Sequence, residues 1–394
     1  MNNKIPKNIK ALGIVSLLND ASSDMIYPLI PLFLTKTLGA SYLTVGIIEG
    51  IAESTASLTK VFSGWLSDKL KQRKSITVAG YGLSMFSKPL LALATAPWHV
   101  LIVRFSDRFG KGIRQAPRDA LIAESAKEGN LGYAFGFHKM MDTIGSALGP
   151  LLAMVFLPLF DGNYRSIFLL SFFASLLAIT TLIIFVREKK PETSNIPFPK
   201  LSLKIIPTTY KLFLLAIAIF ALGNCSDAFL FLRAQNVGVN PIYIPALYAI
   251  MNICFAALAT LFGKLADKIG PGKIMIGGYL VFSLTHFGFA NAATSYSIWF
   301  LFLMFGVFAS MTESIQKTIA VNISNPQLKG TMLGLMHMTI GIFQLPASIL
   351  AGFFWERFGP ATPFLFGSTT SLIAAGVLFA AFLSSKNQKQ TLFR

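Results

Sequence analysis

"GWLSDKLKQRK" (Gly64–Lys74) and "GKLADKIGPGK" (Gly263–Lys273) are one polar phrase written twice, 199 residues apart, each directly after a long apolar run. Self-similarity at a fixed offset marks a duplicated structural unit. Two further pairs keep the register: "GYAFGFH" from Gly132 with "GTMLGLMH" from Gly330, and "IGSALGP" from Ile144 with "IGIFQLP" from Ile340. The chain therefore reads as two similar halves that face each other.

Those halves belong in a membrane. With 394 residues, 54% of them hydrophobic, 13% charged and a mean hydropathy of +0.62, the chain has too little polar surface to cover a water-soluble globule. Its net charge of +17 is compatible with binding phosphates, but a nucleic-acid-binding domain would not be this apolar. A bilayer core takes about 20 apolar helical residues per crossing. On that basis twelve spans are expected, near 11–36, 43–66, 75–96, 98–120, 131–158, 166–186, 212–234, 241–262, 274–292, 297–320, 330–354 and 361–384. The expected fold is all-α, with a six-helix bundle in residues 1–186, a Pro-, Lys- and Ser-rich linker in 187–211 and a second six-helix bundle in 212–394. Most Lys and Arg fall on the N-terminal side of the membrane, and only Lys36, Arg165, Arg233 and Arg357 on the other. The positive-inside rule then puts both termini in the cytoplasm and the chain in the cytoplasmic membrane. The basic start, "MNNKIPKNIK", runs into a stretch too long for a signal-peptide core, so a retained first span is expected. Cys225 and Cys254 alone make neither a disulfide framework nor a metal site.

These residues resemble the major facilitator superfamily along essentially the whole chain. The family's loop signature is similar to Gly64, Leu66, Ser67, Asp68, Lys69, Arg73 and Lys74, and again to Gly263, Leu265, Ala266, Asp267, Lys268, Gly270 and Lys273. The resemblance implies twelve helices in two pseudo-symmetric bundles and a secondary transporter, not an enzyme. In physical terms the glycines admit neighbouring helices, and Gly64, Asp68, Arg73, Gly263, Asp267 and Lys273 are candidates for a conformational latch. A solvated loop that only sets topology is the plainer alternative. "RFSDRFGKG" resembles the family's span-four motif through Arg104, Gly110 and Gly112, with Arg108 where a glycine is usual. Gly145, Gly149 and Pro150 resemble its span-five antiporter signature, whose trailing glycines are replaced by Ala153 and Met154.

Ionisable groups inside a bilayer are costly and face a partner or a wet cavity. Span four holds Arg104, Asp107, Arg108, Lys111, Arg114 and Arg118, which at about 100° per residue share one side of the helix within about 120°. Such a stripe suits a carboxylate or phosphate. The alternative is a static network in which Arg114 and Arg118 snorkel outward and other helices neutralise the rest. Arg104, Arg108 and Lys111, with Asn19, Asn224 and Asp227, are the candidate substrate-binding residues. Asp20, Asp24, Glu49, Glu53 and Glu313 are the candidate proton carriers, since cavity closure changes the balance of desolvation and neighbouring charge on a carboxylate. A permanent ion-pair network is the rival for the first four, and an i, i+4 pair with Lys317 for Glu313. His138 and Asp142, also i, i+4, read as a packed hydrogen-bonded pair before a proton relay. Lys88 is a lone lysine in span three that either contacts substrate or snorkels.

No nucleotide loop, catalytic triad or metal-ligand spacing is found, so no cofactor is expected: "GPGKI" lacks the spacing of a phosphate loop. The expected function is secondary transport of a small organic anion, a carboxylate-bearing metabolite or chelate, coupled to protons, with one chain forming a complete pathway. A proton-driven efflux antiporter for drugs or lipophilic compounds is the alternative, and a transporter-like solute sensor the second.

Overall fold

The computed structural model describes residues 6–70, 72–126, 131–188, 207–322 and 329–387, with no side-chain description for 64–66, 68, 69, 131, 132, 329–331 and 382–387. Among the described residues the ordered structure is helical. The helices are α1 (Lys7–Ile26), α2 (Tyr42–Leu70), α3 (Arg73–Ala92), α4 (Pro97–Ser125), α5 (Leu131–Leu159), α6 (Tyr164–Phe185), α7a (Thr208–Gly223), α7b (Ala228–Asn236), α8 (Ile244–Ile269), α9 (Pro271–Asn291), α10 (Ser295–Asn322), α11 (Lys329–Phe358) and α12 (Thr362–Asn387). Counting α7a and α7b as one interrupted span gives twelve membrane-length elements. Eight spans, α5 to α12, are long and apolar enough by composition to cross a bilayer. The four outside that set, α1 to α4, carry most of the intramembrane charge.

Two spans depart from a regular helix, each for a local reason. The expected first span runs on past α1 through a 3-10 turn (Tyr27–Leu29), a short α-turn (Ile30–Leu32) and a π-turn (Phe33–Thr37). Pro28 and Pro31 remove two backbone donors there, so the regular i→i−4 ladder cannot continue. The expected seventh span breaks between Gly223 and Ala228, at Asn224, Cys225, Ser226 and Asp227. Polar side chains near backbone groups favour such a break over an uninterrupted ladder. The last four residues of the expected linker, 208–211, are already helical.

The chain forms two compact units. Unit 1 comprises residues 1–40, 51–198 and 241–249, and unit 2 comprises 41–50, 199–240 and 250–394. In unit 1, α1 packs along α5 and α6, and α3 along α4 and α6. In unit 2, α7a packs along α11 and α12, and α9 along α10 and α12. That is the same pairing moved on by six spans. The duplication also holds at single residues. A Cβ on Gly80 would lie 2.7 Å from Arg114 Cβ, and one on Gly278 would lie 2.6 Å from Thr312 Cγ2, so α3/α4 and α9/α10 meet at equivalent glycines. Gly39 and Gly238 take positive φ at equivalent turns, as do Gly162 and Gly359.

The interiors differ. Unit 2 is filled by rings: Phe220 stacks on Tyr279 at 4.2 Å, and Phe282, Phe305 and Phe308 close around them. Unit 1 has an apolar plug of Leu12, Val15, Tyr81, Ile122, Leu182 and Val186 at one end. Leu29, Phe33, Ile167 and Phe168 are buried as well, but its interior also holds Lys88, Arg104, Arg108 and Arg114.

Candidate functional site

The polar part of the unit 1 interior is organised by α4. Pro97 opens that helix, and His99 Nδ1 accepts the Ala96 N–H at 3.2 Å, satisfying a donor at its start. Gly110 and Gly112 bring it close to its neighbours. A Cβ on Gly110 would lie 2.6 Å from Gly80 O, and one on Gly112 2.7 Å from Thr59 Cβ. Arg108 in a usual glycine position therefore leaves the tight packing to the two glycines that follow.

Arg108 Nη2 lies 3.0 Å from Glu53 Oε1, and Arg104 Nη2 lies 3.9 Å from the same oxygen. Arg104 also faces Asp107, Nη1 to Oδ2, at 3.9 Å. The two guanidinium carbons stand 5.5 and 5.3 Å from the Tyr27 ring centroid, within cation–π range. Arg104 and Arg108 are both buried. Arg114 is buried over the Tyr81 ring at 4.4 Å and donates to Ser84 Oγ, and Arg118 pairs with Asp119 at 2.8 Å. Arg114 thus does not snorkel, and Arg118 is held by a neighbouring acid. Lys111 differs from the other cations of the stripe: it is exposed, and among the described residues it makes no hydrogen bond or ion pair. Its charge acts on the carboxylates of Asp20, Asp24 and Glu53.

Asp20 and Asp24 face α5. Gly145 and Gly149 seat the α5 backbone on α1, where a Cβ would collide with Leu17 O and Ala21 O respectively. This contact brings Asp20 within hydrogen-bonding reach of Asp142, and Asp24 within reach of Ser146. Ser16 Oγ donates to Asp142 Oδ1 at 3.0 Å, Lys139 Nζ to Asp142 Oδ2 at 2.9 Å and Asn19 Nδ2 to Asp20 Oδ1 at 3.1 Å. The expected His138–Asp142 pair does not form. Asp142 is taken by α1 and Lys139, and His138 Nε2 is buried without a hydrogen-bond partner among the described residues. Lys88 does not snorkel either. It is 1% exposed, and its ammonium donates to Ser175 Oγ; Ser175 donates to Ser22 Oγ at 2.9 Å and Ser22 to Ser171 O.

In unit 2, Asn224 caps α7a and Asp227 precedes α7b at the break in span seven. Glu49, 1% exposed, accepts a hydrogen bond from Ser226 Oγ at 3.3 Å, while Ser348 Oγ accepts the Ser226 N–H at 3.2 Å. Glu313 and Lys317 form an exposed i, i+4 pair at 3.7 Å, an arrangement worth little energy. Of the latch residues, the side chains of Gly64 and Asp68 lie outside the described residues. Arg73 pairs with Glu124, and its backbone N–H donates to Glu188 Oε1 at 2.6 Å. Gly263 faces open space, so it admits no neighbouring helix; Asp267 and Lys273 are exposed with no ion pair within 4.0 Å among the described residues.

Sequence reasoning missed Tyr27, Glu124 and the serines around Lys88, and it gave Asp142 the wrong partner. One signal was present for Asp142. It sits three residues before Gly145 and four before Ser146, on the side of span five that the small residues mark for close packing.

The sequence profile described as Major Facilitator Superfamily matches residues 12–233 and again 212–393, once for each half. An uncharacterized MFS-type transporter of Methanocaldococcus jannaschii is 36% identical over 384 residues, which is 95% of each chain. Multidrug resistance protein MdtG of Escherichia fergusonii is 26% identical over 340 residues, 81% of each. Among solved structures, a variant of the nucleoside transporter NupG superposes with a TM-score of 0.81 at 13% identity, covering 95% of this chain and 99% of that one. A POT family transporter in complex with 5-aminolevulinic acid superposes at 0.79 and 12% identity, covering 95% and 96%. At such identities the superpositions speak for the fold; the profile and the 36% relative carry the membership, and this chain belongs to the Major Facilitator Superfamily as a multi-pass membrane transporter.

Proposed function

We propose that the chain carries a small organic anion across the cytoplasmic membrane, coupled to protons, with both termini in the cytoplasm and one chain sufficient. The observation that supports this reading is the single Glu53 carboxylate oxygen shared by Arg108 at 3.0 Å and Arg104 at 3.9 Å. Two guanidinium groups on one face are a ready site for a carboxylate, and Glu53 occupies it from within the protein. Protonating Glu53 cancels its charge and releases both forks. A substrate carboxylate then takes the vacated partners, with exposed Lys111 as a third cation. Proton and anion bind together in this scheme, and neither binds well alone. Asp20 and Asp24 are the further proton carriers it proposes. Asn19 stands beside Asp20, and Asn224 and Asp227 are the polar residues that unit 2 offers at its broken span. Glu49 is the corresponding buried acid there, whereas the exposure of Glu313 argues for a surface role.

The test is uptake into proteoliposomes with an imposed proton gradient and a panel of carboxylate and cationic compounds. Wild type is expected to accumulate anions when the outside is acidic. Glu53→Gln is expected to exchange anion without accumulating it. Intact anion transport in Arg104→Ala and Arg108→Ala would end this reading.

A second reading, proton-driven efflux of lipophilic compounds, draws on the similarity to MdtG, a multidrug resistance protein, and on Gly145, Gly149 and Pro150 at the α1–α5 contact. Direction separates the two: gradient-driven expulsion of cationic or neutral compounds favours efflux.

A further inference from the structure

The α1–α5 contact gathers oxygen atoms that outnumber the hydrogen atoms pointed at them. Asp20 and Asp142 lie within hydrogen-bonding reach of each other. Asn19, 2% exposed, gives its Nδ2 to Asp20 Oδ1 at 3.1 Å, which holds its amide head beside the pair. Its Oδ1 is buried and has no hydrogen-bond partner. The Ser16 hydroxyl donates to Asp142 at 3.0 Å and keeps its lone pairs free to act as a ligand. An amide oxygen without a donor, a hydroxyl oxygen and two carboxylates therefore sit at the contact of two helices that Gly145 and Gly149 hold close.

We propose that Ser16, Asn19 and Asp20 of α1 and Asp142 of α5 bind a sodium ion. Hard cations take carboxylate, amide and hydroxyl oxygens of this kind. A shared proton would reconcile the two carboxylates but would leave Asn19 Oδ1 without a donor. A water molecule would satisfy Asn19 and bring no charge. Sodium satisfies both demands. The ion would tie α1 to α5 beside the Arg–Glu53 cluster, so its binding and the seating of α1 are linked. The assignment rests on the oxygen geometry and stands independently of the anion proposal.

The test is thermal unfolding of the purified full-length protein at fixed pH and ionic strength, with sodium chloride exchanged for potassium or choline chloride. A ligand bound only by the folded state raises Tm saturably with its concentration. Sodium is expected to raise Tm by a few degrees, with lithium substituting and choline inert. The rise is expected to vanish in Asp142→Asn and to need at least tenfold more sodium in Ser16→Ala and Asn19→Leu. Because the first comparison uses wild type, it does not depend on any variant folding. Equal Tm in sodium and choline overturns the proposal, and so does an equal rise with potassium. Proton-driven anion uptake that persists with no sodium effect leaves the transport reading standing without this site. A sodium effect with no anion uptake does the reverse.

Discussion

Arg108 and Glu53 meet at 3.0 Å, Nη2 to Oε1, between α4 and α2, with the Arg108 guanidinium carbon 5.3 Å from the centre of the Tyr27 ring. Removing one partner of a fully buried pair costs about 3–5 kcal/mol. The loss here is expected to be smaller, because the Glu53 side chain is 23% exposed. Arg108→Ala should lower Tm modestly and cut anion transport by more than tenfold. Arg108→Lys should rescue the stability but not the transport, since an ammonium cannot offer a planar fork to a carboxylate while standing over the Tyr27 ring. Initial uptake rates and melting curves on the same preparations check both. Wild-type transport in Arg108→Lys would show that the fork geometry does not matter.

The contact between α1 and α5 depends on two side chains that are absent. Gly149→Ala places a methyl group against Ala21 O and 2.8 Å from Met25 N, both backbone atoms that cannot swing aside. Overpacking of this kind costs about 1–3 kcal/mol. Gly145→Ala meets Leu17 in the same way. Gly263→Ala, Gly136→Ala and Gly376→Ala meet nothing within 4 Å and serve as controls. The first pair is expected to melt several degrees below wild type and the controls within a degree of it. Gly263→Ala also isolates the loop signature, because a transport loss at unchanged Tm would mean that its glycine acts in another conformation.

These glycines mark where sequence reading works and where it stops. Apolar run length locates twelve spans because each must cross about 30 Å of hydrocarbon, and the doubled loop phrase reveals the repeat because equivalent turns keep equivalent chemistry. The grouping of Arg104, Arg108 and Lys111 on one side follows from helix periodicity alone. Their different fates do not. Arg108 is committed to Glu53 and Lys111 is exposed because of how α2 lies across α4, and no one-helix pattern encodes that. Helix spacing pairs Asp142 with His138, four residues away, while its actual partners Ser16 and Asp20 sit more than 120 positions earlier. Polarity at Asn224–Asp227 stands out within an apolar run, but the break there is not read from it. Its consequence, a freed backbone N–H at Ser226 bonded to Ser348, needed the neighbouring helix.

Arg233 ties unit 2 together at one end. Its guanidinium donates to Phe289 O at 2.9 Å and to Ala290 O and Ala292 O at 3.0 Å, with a fourth bond to Asn236 at 2.7 Å. The three carbonyls lie at the C-terminal end of α9, where helical acceptors run out of partners and a cation is favoured. Each bond to a charged group is worth about 1.5–3 kcal/mol, but the set is not additive. Arg233→Ala is therefore expected to be among the more destabilising single changes in unit 2. Arg233→Lys should recover part of the loss, because an ammonium reaches at most three of the four acceptors. Melting curves of the two variants against wild type read this directly, and identical curves would remove the capping role.

Lys88 sets stability against function. Its ammonium is buried among the hydroxyls of α1 and α6, with no carboxylate within 4.0 Å among the described residues. The duplication places His286 of α9 at the equivalent position, where the ring lies 3.7 Å from Phe282 and sits among Phe305 and Phe364. One half therefore accepts an uncharged aromatic neighbourhood at the point where the other keeps an ammonium. Burying an ion without a counter-charge is unfavourable, and an apolar residue of similar volume is commonly neutral or stabilising in its place. Lys88→Met is expected to leave Tm unchanged or raise it. Intramembrane ionisable groups persist mainly where they serve a pathway, so the same variant is expected to lose at least tenfold in transport. Lys88→Arg should lose both, because a bulkier guanidinium must enter a site that is 1% exposed and already in contact with Ser175. Should Lys88→Met melt well below wild type instead, the ammonium is a structural tie between α3 and α6, and its persistence needs no functional reason.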